Sequence, residues 1–328
     1  MPIKKDDITL SVVIPVYNEA DVLPDCLQAL DKALDFDGVT HELIFVDDGS
    51  TDNSWGVLRD LGRDRPDISL ISLSRRFGKD AAVFAGLGNA VGRAVVVIDA
   101  DLQDPPEMIP DMFYKWQSGC DVVIGLRKQR LGEQWPRRLA ARIFYQFIHS
   151  ISDYDLPRDS GDFCLLDRRV VDVILRFRER TCYFKGIINW VGFRRGFVEY
   201  TRQERHGGKS KWNFMQLTAF ALDAITSYSR LPLRIWTLAG ISAAAIGFCY
   251  GIYVFFYTII FGGRVEGYAS LVMLILFLGG VQLISIGVIS EYIGHLFIEI
   301  KRRPLYVIRE TKDAHGEKND PEDAHPGR

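Results

Sequence analysis

The stretch "VVVIDADLQDPPEMI", Val95–Ile109, opens as an apolar strand and closes as the start of a helix. Between the two it sets three carboxylates, Asp99, Asp101 and Asp104, within six residues. Asp104-Pro105-Pro106-Glu107 has the form of a helix amino terminus. Asp104 suits the N-cap, Pro105 the first helical position and Glu107 the reciprocal place of a capping box. That reading accounts for Asp104 and leaves Asp99 and Asp101 over. Side chains two apart at the end of an extended strand point the same way, so these two are expected to converge. Like charges held close repel unless one takes a proton or a cation lies between them. A hard divalent ion, Mg²⁺ or Mn²⁺, shared with a ligand's phosphates answers that need, and Gln103 adds a neutral oxygen. A solvated acid pair is the other reading the spacing allows.

Working outward, "ITLSVVIPVY", "HELIFVDD", "ISLISLS", "AVVVIDA" and "CDVVIGL" are short β-rich runs, with amphipathic stretches such as Ala20–Leu34 and Ser54–Gly62 between them. The alternation predicts an α/β fold with a mostly parallel sheet and helices on both faces. Ligands of such sheets bind beyond the carboxyl ends of the strands. Two further strand ends are chemically marked. "FVDDGSTDNS" closes with Asp47 and Asp48 and a Gly-Ser turn, with Ser50 or Asp52 suited to cap the next helix. "VVIPVYNE" closes with Pro15, Tyr17, Asn18 as a cap, and Glu19 at the next helix start. Together these ends suggest a nucleotide pocket in which Asp48 accepts from a base and Tyr17 lies against it. No G-x-G-x-x-G follows the first strand, which weakens a dinucleotide reading.

The chain has 328 residues and a formal net charge of -2, so no electrostatic case for nucleic acid arises. Its five cysteines are scattered without C-x-x-C spacing and read as reduced cytosolic thiols. "MPIKKDDITL" has no signal-peptide core, so the first domain is expected to stay where it is made. Ile235–Phe261 and Gly267–Ser290 carry no charge. At about 1.5 Å per residue each exceeds a ~30 Å hydrocarbon core, which predicts a two-span hairpin rather than buried core helices. Arg230, Arg234, Lys301, Arg302 and Arg303 flank the pair, whereas the connector "GGRVEG" holds only Arg264. The positive-inside rule puts both flanks in the cytoplasm. "WNFMQLTAFALDAITSYSRLPLR", Trp212–Arg234, suits a helix lying in the membrane interface. "WPRRLAARIFYQFIHSI", Trp135–Ile151, is amphipathic and fits either the membrane or the sheet. Glu291 and His295 fall at the end of the second span, in a snorkelling or inter-helix role. The expected domains are therefore 1–211, catalytic; 212–234, juxtamembrane; 235–298, hairpin; and 299–328, a polar tail, disordered after Arg309.

"VVIPVYNE", "VDDGSTD" and "DADLQDPPE", in this order and spacing, resemble the GT-A-fold family 2 glycosyltransferases. With "SRRFGKD", "SGDFCLLDRRVVD", "KGIINWVGF", "KSKWN" and the spans ending "LGGVQLISIGVISEYIG…RPLYVI", the chain is similar to the polyprenyl-phosphate glycosyltransferases, and among them to the bactoprenol glucosyltransferase group. The resemblance covers nearly all of the chain up to Arg309. It implies a nucleotide-sugar donor, a divalent metal (Mg²⁺ or Mn²⁺), an undecaprenyl-phosphate acceptor and inversion at the anomeric carbon. Carried over by motif, Pro15, Tyr17, Glu19 and Asp48 bind the nucleotide. Asp99 and Asp101 hold the metal and donor diphosphate, with Gln103 assisting. Asp162, in "SGDF", matches a family active-site aspartate near the reacting sugar. Arg127, in "GLR", and the group Arg205, His206, Lys209 and Lys211 meet phosphate. The segment "RHGGKSKWN" departs from the family pattern, which bears on His206 and Lys209.

By the same resemblance the enzyme sits in a bacterial inner membrane with its catalytic domain and both termini cytoplasmic. It forms a homo-oligomer, a tetramer among relatives, and serves cell-envelope or lipopolysaccharide glycosylation. Glucose from UDP is the first choice of sugar; galactose, N-acetylhexosamine, an aminoarabinose derivative and mannose are the alternatives. A processive synthase needs a longer membrane bundle and a Q-x-x-R-W-type motif, and the chain has neither. A non-catalytic scaffold would bind no nucleotide sugar, and a lipid-flipping protein would need more of a transport path than two spans.

Overall fold

The computed structural model describes residues 8–36, 38–127, 160–177, 184–201, 231–261, 267–301 and 303–312. They fall into two units: residues 8–127, 160–201 and 303–312 make an α/β unit, and 231–301 a helical one. Arg205, His206, Lys209, Lys211, most of the Trp212–Arg234 segment and the Trp135–Ile151 stretch lie outside the described residues.

In the α/β unit the strands are β1 (Leu10–Val16), β2 (His41–Asp47), β3 (Ile68–Leu73), β4 (Ala94–Val97), β5 (Val122–Arg127), β6 (Ser160–Asp167), β7 (Arg195–Tyr200) and β8 (Ile308–Lys312). They form one mixed sheet in the order β7-β5-β6-β4-β1-β2-β3-β8. β1 pairs in parallel with β2 and β4, β2 with β3, and β5 with β7; β6 and β8 run antiparallel to their neighbours. The helices are α1 (Leu23–Leu34), α2 (Ser54–Leu61), α3 (Lys79–Asn89), α4 (Ile109–Gln117), α5 (Arg168–Ile174) and α6 (Phe184–Trp190). Successive side chains of β1 serve opposite faces: Leu10, Val12 and Ile14 join a core with α1, α2 and α4, and Val13 joins one with α3, α5 and α6. A strand buried on both faces is apolar throughout, which is why "LSVVIPV" reads as a continuous run.

The polar character of residues 299–328 hides one element. After the helical pair the chain returns as β8 on the edge of β3, so residues 310–312 are strand and not tail. The backbone supplies the pairing there, and a half-exposed edge strand needs little hydrophobicity; "IRETK" carries no apolar signal past Ile308.

The helical unit consists of α7 (Leu231–Phe261) and α8 (Tyr268–Ile300). Each is long and apolar enough to cross a bilayer, over Gly240–Ile260 and Phe277–Gly294. Phe248 and Leu283 are exposed along these helices. Thr258, Ser285 and Ser290 donate back to the carbonyls of Val254, Val281 and Ile286, which satisfies each hydroxyl within its own helix. α8 runs on past Ser290, where the uncharged stretch stops, to Ile300.

Candidate active site

The carboxyl ends of the parallel strands are stitched together by short polar side chains. After β1, Asn18 adopts a left-handed backbone (φ 55°), and its Oδ1 accepts from the Thr51 N–H at 2.8 Å. It therefore caps no helix; α1 begins only at Leu23. The Glu19 N–H donates to Ser54 Oγ at 2.9 Å, and Asp52 accepts from the N–H groups of Ser54 (3.0 Å) and Ala20 (3.3 Å). Pro15 is buried within β1 opposite Val46, and Tyr17 emerges just past the strand end. The Arg76 guanidinium lies over the Tyr17 ring, 4.2 Å from its centroid.

After β2 the two aspartates divide their work. Asp47, fully buried, accepts from the Ser50 N–H at 3.1 Å and the Ser72 hydroxyl at 3.2 Å. Ser72 accepts in turn from Arg309 of β8 at 2.8 Å. Asp48 reaches the loop after β3, where its carboxylate takes the N–H groups of Phe77 (2.7 Å) and Gly78 (2.9 Å). Gly49 between them has φ 65°, and a Cβ there would stand 2.5 Å from the Arg75 carbonyl carbon. Only glycine lets the two loops approach so closely.

Sheet register builds the centre of the site. In the antiparallel β4/β6 pair, Val97 faces Cys164. Just past the end of β4, Asp99 comes close enough to Asp162 of β6 for one cation to touch both. Lys79, the first residue of α3, lies between them. Its Nζ is 2.5 Å and 2.7 Å from the two Asp99 oxygens and 2.5 Å from Asp162 Oδ2. Lys185, from α6, reaches Asp162 Oδ1 at 3.3 Å. Burial pushes the Asp162 carboxyl up, but Lys79 and then Lys185 outweigh it and hold the group below the usual carboxylate range. Burial raises Asp99, against the pull of Lys79. Burial, then the Asp162 charge, raise neighbouring Asp80 to about 6.

Asp99 and Asp101 do not share one extended segment. β4 stops at Val97, residues 100–102 form a turn, and Leu102 is left-handed at φ 57°. Side-chain alternation ends with the strand, so the expectation that the two point alike has no basis beyond Val97. Asp99 belongs with Lys79 and Asp162. Asp101 accepts from the Gln103 N–H at 3.2 Å, and its charge, after burial and ahead of Glu19, helps push the Cys26 thiol up to about 12. Gln103 is buried. Among the described residues no three His, Cys, Asp or Glu side chains gather as a metal cage.

Asp104 is not the helix cap its sequence suggests. A short 3₁₀ turn, Pro106–Met108, precedes α4, and neither start carries a side-chain cap bond. Asp104 is instead buried, accepting from the Tyr200 hydroxyl at the end of β7 and from Arg127 Nη2 at 3.5 Å. Arg127 Nε also donates to Tyr200 Oη at 3.1 Å. A Cβ on Gly161 would crowd Arg127 Nη2 (3.1 Å) and Tyr200 Oη (3.2 Å), so the small residue before Asp162 leaves room for this group. Sequence reasoning assigned no role to Lys79, Asp80, Lys185, Arg76 or Tyr200. Arg76, Lys79 and Asp80 lie in "SRRFGKD" and Lys185 in "KGIINWVGF", stretches that carried the family resemblance without a role for these residues. Tyr200 had no signal, and the partners of Lys79 and Tyr200 lie 20, 83 and 96 residues away.

A mostly parallel sheet with acidic loops at its strand ends, in a chain that also carries two bilayer-length helices, is the architecture of a GT-A-type glycosyltransferase with a membrane hairpin. The chain belongs to glycosyl transferase family 2, whose profile matches residues 11–175; residues 231–296 match the GtrB C-terminal hairpin. It is 45% identical over 301 residues to an uncharacterized glycosyltransferase of Synechocystis sp., covering 92% of this chain and 95% of that one. It is 42% identical over 303 residues to the prophage bactoprenol glucosyl transferase homolog of Escherichia coli, covering 92% and 99%. To the bactoprenol glucosyl transferase of Shigella phage SfV it is 43% identical over 303 residues, again 92% and 99%. The chain is thus a membrane-associated glycosyltransferase.

Proposed function

We propose that the enzyme transfers glucose from UDP-glucose to undecaprenyl phosphate, with inversion, on the cytoplasmic face of a bacterial inner membrane. The names of the bactoprenol relatives support the acceptor and the sugar. The observation that carries the chemistry is Asp162 with both oxygens ion-paired, sharing Lys79 with Asp99 just past β4.

The attacking atom is an acceptor phosphate oxygen, anionic near neutral pH, so the nucleophile needs no proton removed. It forms a bond to the anomeric carbon as the bond from that carbon to the UDP oxygen breaks. Asp162, held ionised between two ammonium groups, is a weak base. Its role is to orient the sugar and to stabilise the positive charge that develops on it. Tyr17 and Asp48 border the nucleotide, with Pro15 and Glu19 shaping the loop around it. Arg127, aimed by Tyr200 and Asp104, meets phosphate. Arg205, His206, Lys209 and Lys211 receive the lipid phosphate.

Asp99, Asp101 and the Gln103 amide are hard oxygen donors on one turn, and too few to enclose an ion. That is the donor set a small divalent cation uses when a diphosphate completes its coordination. Mg²⁺ or Mn²⁺ held by Asp99 and Asp101 would neutralise charge on the departing UDP.

Residues 1–211 serve as the catalytic part, 212–234 as an interfacial helix and 235–298 as the hairpin, with both flanks cytoplasmic because the basic residues cluster there. The protein works as a homo-oligomer, a tetramer by family resemblance.

The test is transfer from a panel of radiolabelled nucleotide sugars to undecaprenyl phosphate in detergent, with and without Mn²⁺, alongside Asp101→Ala. Lipid product from UDP-glucose alone, dependent on metal and lost in the variant, supports the reading. Product from another donor replaces the sugar. No product from any donor, with folded protein and metal, rejects the acceptor.

A further inference from the structure

Lys79 makes three short contacts, to both oxygens of Asp99 and to Asp162 Oδ2. Two of these contacts are hydrogen bonds, one to each carboxylate, so the ammonium bridges the two aspartates. Asp162 is gripped from its other side by Lys185 at 3.3 Å. We infer that Lys79 is a positioning residue: it ties Asp162 to the turn that carries Asp99 and so sets where Asp162 stands against the donor sugar. The inference rests on the proposed transfer reaction for its kinetic consequence, but not for its geometry.

The sheet itself cannot do this. The pairing of β4 with β6 brings the segment after β4 alongside β6, so that Asp99 and Asp162 lie close, where two bare carboxylates repel. Lys79 is supplied from a third element, α3, whose start is fixed because Asp48 holds the N–H groups of Phe77 and Gly78 just before it. The loop that borders the nucleotide is thereby linked rigidly to the aspartate nearest the reacting sugar. Without the ammonium, Asp162 is left with Lys185 alone and is expected to swing toward it.

The experiment compares wild type, Lys79→Met and Lys79→Arg as detergent-solubilised full chains. The readouts are kcat and donor KM with UDP-glucose and undecaprenyl phosphate, equilibrium binding of UDP with Mn²⁺, and the experimentally determined position of Asp162. Lys79→Met should lose about 100-fold in kcat, the scale of a small misplacement of reacting groups. UDP binding should stay within about threefold, because the Lys79 ammonium is ion-paired to Asp99 and Asp162 and not to the nucleotide. Lys79→Arg should recover at least about tenfold of the loss, since a guanidinium can still bridge two carboxylates. The methionine variant should show Asp162 displaced toward Lys185. Wild-type kcat in Lys79→Met, a matching loss of UDP binding, or an unmoved Asp162 would each overturn the inference. If wild type itself makes no lipid product, the transfer reading fails, and the position of Asp162 in the two structures still decides the role of Lys79.

Discussion

The Tyr200 hydroxyl donates to the carboxylate of Asp104, which is 1% exposed, and Arg127 touches both groups. This bond joins the end of β7 to the loop that follows β4, and it places an arginine beside the candidate diphosphate site. A hydrogen bond to a buried charge contributes about 1.5–3 kcal/mol. Tyr200→Phe keeps the ring against Phe163 and removes only the hydroxyl. The variant should lose that much stability in chemical denaturation, and Arg127, released on one side, should give a raised donor KM. A variant as stable as wild type would show that Asp104 is satisfied without Tyr200.

Asp48 predicts a coupled loss. Its carboxylate accepts from two backbone N–H groups of the loop carrying Arg76 and leading to Lys79. Asp48→Asn presents an N–H₂ group where one acceptor stood. Losing about 1.5–3 kcal/mol of charge-assisted bonding corresponds to roughly 10- to 100-fold in a binding constant. The loss should appear as a lower melting temperature of the apo protein and, because the freed loop borders the nucleotide, as weaker UDP binding by calorimetry. A variant that melts far lower but binds UDP normally would make Asp48 purely structural.

Asp80 makes stability pH-dependent in a definite direction. Burial, then Asp162, raise its carboxyl from 3.8 to about 6, against Lys79 and Lys185. The folded state therefore holds this proton more tightly than the unfolded chain does. Stability from this group is highest below the unfolded value and falls as pH rises toward 6. Asp80→Asn removes the charge and keeps an acceptor for the Phe184 N–H. It should melt above wild type near about pH 7.5, with the difference closing as pH falls from about 6 to about 4. A difference independent of pH would contradict the raised carboxyl.

Chelation gives a prediction about the turn after β4. A bound divalent ion supplies several kcal/mol of charge stabilisation, so EDTA should lower sugar transfer by about 100-fold or more. Mn²⁺ or Mg²⁺ should restore it. Asp101→Asn should need a higher metal concentration for half-maximal rate, while its melting temperature stays near that of wild type. Full activity in EDTA would assign Asp99 and Asp101 to Lys79 and the turn alone.

The strand β8 is testable by truncation. A stop after Val307 removes β8 and uncovers the edge of β3, whose residues Ile68–Leu73 are buried throughout. It also removes Arg309, which holds Ser72 and through it Asp47. An uncovered apolar edge pairs with other chains, so the truncated protein should aggregate on size-exclusion chromatography. Arg309→Ala, which leaves the strand, should remain dispersed. A dispersed, active truncation would make β8 dispensable.

Taken by itself, the sequence determined what local pattern can carry. Strand-helix alternation from Ile8 to Arg127 is visible because buried parallel strands are apolar throughout. The two apolar helices are visible because 235–261 and 267–290 carry no charge over a bilayer's length. The acid-rich strand ends at Asp48 and Asp99 are visible because polar residues there break apolar runs. Tertiary structure alone decided the partners. Asp104 looks like a cap from its Pro-Pro-Glu neighbours, and only β7 brings in the tyrosine that turns it inward. Asp99 and Asp101 look like one pair, but the strand that would align them ends too early. Lys79 meets Asp162 because the register of β4 with β6 carries a residue 83 positions away to the tip of α3. Periodicity reports which side of an element is buried; pairing register, set by backbone hydrogen bonds between distant segments, decides which charges meet.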